Sequence, residues 1–200
     1  MRTYKIHLIR HGLTEGNLKG QYIGRTDLPV TPEGVTELRT LKDNIDYPFI
    51  EQLYSSPMLR CRQTANILYP DNKINIIENL IEYDFGEFEG KTAHELEINP
   101  DYIAWTSGKS DSTPGGENNS DFAKRLALAI NQIVRDMMNK GLHESAAIMH
   151  GGTIMVLLAS CGLPRRHLAK WTTGNGRGYT ILIDPSIYGR TGAFEVIDTI

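Results

Sequence analysis

Short apolar segments of strand length alternate with segments of helical period along almost the whole chain, and few architectures accept that order. Residues 4–10, Gln52–Ser55, 73–77, 145–149, 179–184 and 194–197 have the length and composition of strands. Between them lie helical patterns at 58–68, 121–139 and 153–160, and Thr31-Pro32-Glu33 opens another, with Thr31 as cap and Pro32 where no hydrogen bond is lost. The segment 121–139 is the most regular: Phe122, Leu126, Ile130, Ile133, Val134 and Met137 recur at three- and four-residue steps, and Gly141 is a natural stop. Alternation of this kind predicts an α/β fold, a three-layer α/β/α sandwich with a mostly parallel central sheet.

Two hundred residues, 40% of them hydrophobic, suffice for one substantial core, so residues 1–200 are expected to form a single domain. The least regular stretch is 91–119, with Pro100, Gly108, Pro114, Gly115 and Gly116; it is expected to be a lid-like insertion over a site. A net charge of −3 gives no footprint for nucleic acid or an anionic membrane, so an anionic ligand must be met by local groups. Cys61 and Cys161 have neither zinc-ligand spacing nor disulfide-scaffold density and read as free thiols. The N-terminal residues contain no apolar run of signal-peptide type, and no stretch approaches a membrane span; a cytoplasmic protein is expected.

The chemistry-bearing residues stand at strand ends. Arg10-His11-Gly12 follows the first strand, and His150 follows the strand at 145–149, just before Gly151-Gly152 and a helix whose first N–H groups can face an anion. Two imidazoles beside Arg10 and Arg60 fit phosphoryl transfer, in which a ring nitrogen attacks phosphorus while guanidinium forks hold its oxygens. Other patterns carry less. His7 and His11 have helical metal-ligand spacing but sit on a strand, roughly 13 Å apart. His94-Glu95 lacks a second histidine at 98 and reads as an exposed helix face. Gly86–Thr92 imitates a phosphate-binding loop but is one residue short and carries two carboxylates, and Gly174, Gly176 and Gly178 precede a strand instead of following one. No metal ligand set and no cofactor motif remain.

Six blocks together resemble the histidine phosphatase superfamily, the phosphoglycerate mutase-like group: LIRHGLTEGN (8–17), GRTDLPVTPEG (24–34), YSSPMLRCRQTA (54–65), LIEYDFGEFEG (80–90), PGGEN (114–118) and MHGGTI (149–154), in the family's order and over most of the chain. The resemblance implies a metal-independent phosphomonoester hydrolase working through a phosphohistidine, with no cofactor. It implies His11 as nucleophile, Glu82 as proton donor, and Arg10, Arg60 and His150 around the phosphate, with Asn17, Gly151, Thr14 and Gly24 as further phosphate- and substrate-binding positions. Glu87 and Glu89 remain alternatives to Glu82.

The partner implied is a small-molecule phosphate ester met by a monomer or homodimer. Between Tyr83 and Asp121 the only basic residues are Lys91 and Lys109 among nine acids, and the longer arginine-bearing insertion of the mutases is missing. Tyr83, Phe85, Phe88, Tyr102 and Trp105 in this stretch either stack on a ligand ring or pack the core. FGEFEG with PGGEN is most similar to the alpha-ribazole phosphatases of cobalamin synthesis. A phosphoglycerate mutase and a non-catalytic phospholigand-binding module are the competing readings.

Overall fold

The computed structural model describes residues 2–200. Seven strands, β1 (Tyr4–Arg10), β2 (Gln52–Ser55), β3 (Ile74–Ile76), β4 (Glu144–Met149), β5 (Gly162–Leu163), β6 (Gly178–Ile183) and β7 (Phe194–Thr199), form one sheet in the order β3-β2-β4-β1-β6-β7-β5. Pairings β1·β4, β2·β3, β2·β4 and β5·β7 are parallel, whereas β6 runs antiparallel to both its neighbours. The sheet is thus mostly parallel, as expected, with one reversed strand.

The helices are α1 (Glu15–Leu18), α2 (Pro32–Asn44), α3 (Leu59–Leu68), α4 (Ala93–Leu96), α5 (Pro100–Thr106), α6 (Asn119–Lys140), α7 (Gly151–Cys161) and α8 (Pro185–Thr191). Side chains of β1 alternate between two cores. Ile6 and Leu8 join Phe122, Leu126, Ile130, Ile133, Ile154 and Leu158, the inner faces of α6 and α7. Ile9 joins Leu38, Cys61, Ala65 and Leu68 of α2 and α3 on the opposite face. Strands buried on both faces need apolar residues on both, which is why β4 is apolar at every position from Ala146 to Met149.

Helix α6 carries the predicted stripe. It starts where the Asn118 carboxamide accepts from Ser120 N at 2.9 Å, and it stops at Gly141, whose φ of +70° only glycine adopts without strain. The stretch 91–119 is less irregular than its composition implied, since it contains α4 and α5. Both are one or two turns long, too short for a period, and they are nucleated by caps: Thr92 with Glu95, and Asn99, whose side chain accepts from Asp101 N and Tyr102 N. Short α1, α8 and β5 likewise lie in segments without a periodic signature.

Candidate active site

The carboxyl ends of β1 and β4 lie side by side in parallel register, with Arg10 opposite Met149. The chain leaves both strands at the same level, and His11 N donates to Met149 O at 2.9 Å, so the two histidines meet with ring centroids 5.3 Å apart, edge to face. His11 Nδ1 lies 2.8 Å from the Gly12 carbonyl, which can only accept. The proton therefore sits on Nδ1 and the Nε2 lone pair is free. Burial, then Arg60 and Arg10, depress the His11 pKa to about 3, so the ring is neutral. Asn175 Nδ2 holds the His11 carbonyl at 2.8 Å, and Thr64 holds Gly12 N at 2.8 Å.

His150 is fully buried. Its Nδ1 accepts from Arg60 Nε at 3.2 Å, which puts its proton on Nε2, directed to the Ser56 hydroxyl at 2.8 Å. Both nitrogens are thus spent on protein partners, and His150 stands behind the cavity wall while His11 lines it. Burial and then Arg60 hold its pKa well below the usual histidine value. Cys61 Sγ lies 3.6 Å from Nε2, but burial pushes that thiol up to about 12 and it stays protonated.

Arg60 enters from α3, whose first turn is tied down by Asp27 accepting from Leu59 N at 2.7 Å. Besides His150, it donates through Nη1 to Thr26 O at 2.9 Å and through Nη2 to Gly24 O at 3.0 Å, leaving two of its five N–H groups. Gly24 has a structural reason to be glycine: a Cβ there would stand 1.8 Å from Tyr83 O. It is outside the cavity lining, and its contribution is the carbonyl that steadies Arg60. Arg10 donates through Nη1 to Thr173 O at 2.8 Å, and its Nε is buried with no hydrogen-bond partner. An orphan charged donor costs free energy unless an anion comes to it.

The cavity these groups enclose is about 130 Å³ and is lined by Arg10, His11, Thr14, Asn17, Arg60, Glu82 and Gly151 together with five residues of its outer wall. Asn17 Oδ1 accepts from Thr14 N at 3.1 Å and Thr14 Oγ1 at 3.0 Å, which leaves its NH₂ as an unspent donor. Gly151 begins α7, so the positive end of that helix faces the cavity. Glu82 lines the same cavity as His11. Its carboxyl accepts from Gly152 N and Tyr83 N, both at 2.9 Å, yet burial outweighs those bonds and raises its pKa above the ordinary carboxylate value. The alternatives sit elsewhere: Glu87 is exposed, and Glu89 binds Gly24 N and Thr26 N at 2.9 Å each.

A family model described as the histidine phosphatase superfamily (branch 1) matches residues 6–186. The chain belongs to that superfamily. Among its relatives in the superfamily are an adenosylcobalamin/alpha-ribazole phosphatase of Salmonella typhimurium, 26% identical over 78% of each chain, and a broad-specificity phosphatase of Saccharomyces cerevisiae, 29% identical over 77% of this chain and 68% of that one. A crystal structure of phosphoglycerate mutase from Thermus thermophilus superposes with a TM-score of 0.68 at 26% identity, covering 98% of both chains. The phosphoglycerate mutase-like fold and the histidine phosphatase family expected from the six sequence blocks are therefore those of this protein.

In this histidine phosphatase the outer wall of the cavity is Gln21, Tyr22, Ile23, Phe85 and Gly152. Tyr22 was not among the aromatic residues singled out in the sequence. Its hydroxyl meets that of Tyr102 at 2.8 Å, and its ring contacts Phe85 and Trp105. Of the five aromatics that were, Phe85 lines the cavity, Tyr83 and Phe88 are core, and Tyr102 and Trp105 back the wall from α5. Ser56, Thr64 and Asn175 escaped notice too, because a lone hydroxyl or carboxamide carries no pattern until the chain is folded. Among the described residues no three His, Cys, Asp or Glu side chains are grouped as a metal ligand set, and no helix is long and apolar enough to cross a membrane.

Proposed function

We propose that this protein hydrolyses small phosphate monoesters, with His11 Nε2 as nucleophile and Glu82 as proton donor. The observation that carries this reading is the pairing inside one cavity of a neutral buried imidazole with a free lone pair and a buried carboxyl whose pKa burial raises above the ordinary carboxylate value. In the first step a bond forms between Nε2 and phosphorus while the ester P–O bond breaks, and the Glu82 proton goes to the departing oxygen. In the second, water attacks the phosphohistidine and returns its proton to the Glu82 carboxylate, which frees phosphate and restores His11. Arg10 Nε, the spare N–H groups of Arg60, the Asn17 amide and the Gly151 N–H are the donors for the equatorial oxygens. His150 acts by orienting Arg60.

The leaving group faces Gln21, Tyr22, Ile23 and Phe85, a wall without a cation. An uncharged leaving group with a planar or apolar face suits it better than one carrying a second phosphate or a carboxylate, and alpha-ribazole phosphate is a substrate of that kind. Segment 91–119 serves as a fixed cap that braces this wall. The reading extends to a cytoplasmic setting, in which the two free thiols stay reduced.

Release of inorganic phosphate from para-nitrophenyl phosphate and from a panel of phosphorylated metabolites, after exhaustive chelation, tests the proposal. Release persists undiminished, with neutral aromatic or nucleoside-like leaving groups preferred over 3-phosphoglycerate. Loss on chelation with rescue by added metal, or no release from any ester, contradicts it.

A further inference from the structure

The proton donor lies on an irregular strip, residues 81–85, with no ladder or helix to satisfy its carbonyls. One side chain satisfies two of them, Ile81 O and Glu82 O, and the Asn79 carbonyl just before them. Arg125, on α6, donates through Nη1 to Asn79 O at 2.9 Å and Ile81 O at 2.6 Å, and through Nη2 to Glu82 O at 2.9 Å. Its remaining two N–H groups go to Glu117, Nε to Oε1 at 2.6 Å and Nη2 to Oε2 at 2.8 Å. All five donors are spent, and the guanidinium lies over the Phe122 ring, 4.6 Å from its centroid. Glu117 grips the same strip from its own main chain: its N donates to Asp84 O at 3.0 Å and its carbonyl accepts from the Tyr83 hydroxyl. The Arg125 and Glu117 side chains are 14% and 13% exposed, so the pair is little screened by solvent, and neither residue lines the cavity.

We propose that Arg125, clamped by Glu117, is a positioning residue that aims the Glu82 carboxyl at the leaving-group oxygen. Glu82 is mounted at two points, its main chain on Arg125 and its carboxyl on Gly152 N. Two carbonyls of the strip, those of Ile81 and Glu82, and that of Asn79 just before it converge on one planar fork and fix both the height and the rotation of the strip, and a general acid displaced by about 1 Å loses much of its effect. Lysine keeps the charge but has no fork, so it satisfies fewer of these carbonyls and lets the strip shift.

This inference rests on the reading of Glu82 as proton donor, and the test separates the two. kcat/KM is measured for an alkyl phosphate, whose alkoxide needs a proton, and for para-nitrophenyl phosphate, whose phenolate does not. The proteins compared are the wild type, Glu82→Gln, Arg125→Lys and the double variant. Arg125→Lys lowers the alkyl value about ten-fold or more and the aryl value less than about three-fold, and it adds almost nothing to Glu82→Gln on the alkyl ester. If Glu82→Gln is selective for the alkyl ester but Arg125→Lys slows both esters equally, or if the two losses multiply, the positioning role is overturned alone. If Glu82→Gln itself slows both equally, the acid assignment falls and this inference with it. Thermal unfolding checks that each variant is folded. Should Arg125→Lys not fold, Glu117→Gln loosens the clamp at unchanged volume and carries the same comparison with the same outcomes.

Discussion

At the residue scale, one imidazole shows how burial becomes chemistry. A histidine with a pKa of 6.5 is partly protonated in neutral water, and its cation cannot attack phosphorus. His11 avoids this because its ring is desolvated beside two guanidinium groups, which depress its pKa to about 3. The sign of the linkage follows. The unfolded chain takes up a proton on this ring below pH 6.5 and the folded chain does not. The stability that the neutral ring contributes is therefore present above 6.5 and is lost as the pH falls from there toward 3. The His11 Cε1–H resonance should keep its neutral position down to about pH 4. A His11 titration midpoint near 6.5 would show that the ring is not held neutral by its surroundings. His11, Arg10 and Arg60 were legible because each falls in a recognisable block at a strand end or helix start. Arg125 and Ser56 were not, because their roles lie in hydrogen bonds between segments 43 to 94 residues apart.

At the element scale, legibility tracked length and amphipathicity. Helix α6 could be read because its apolar stripe, Phe122 to Met137, recurs through about four turns, whereas α4 and α5 depend on caps at Thr92 and Asn99 that compete with many similar residues in loops. The helix expected at 153–160 starts two residues earlier: His150 is the cap and both glycines are the first residues of α7, which brings the helix N-terminus to the cavity. Helix α5 has no fully buried residue, yet it presents Tyr102 and Trp105 to the back of the cavity wall. If it braces that wall, Trp105→Ala raises KM for a phosphate ester with an aromatic leaving group about three- to ten-fold, the range of one aromatic contact, and leaves kcat/KM for a small alkyl phosphate within about two-fold. Equal losses on both would mean that α5 supports the whole site and not the leaving-group wall.

At the scale of the whole molecule, the sheet order does the assembling. Placing β4 beside β1 in parallel sets two strand ends, 139 residues apart in sequence from Arg10 to Met149, at one edge, and a histidine follows each. The α3 side of the sheet delivers Arg60 and the α6 side holds Glu82, so nucleophile, cations and acid reach the cavity from opposite layers. Strand alternation made the layers legible, but not the reversed β6, whose direction depends on a connection through 164–177 that has no clear period. If this assembly works as argued, a phosphoryl group must pass through His11. Rapid alkaline quenching during turnover of para-nitrophenyl phosphate, followed by mass spectrometry of the peptides, should find one added phosphoryl group on His11, and His11→Ala should show neither that mass nor turnover. Steady hydrolysis without phosphorylation at His11, or a His11→Ala variant that keeps about a tenth or more of wild-type kcat, would contradict it.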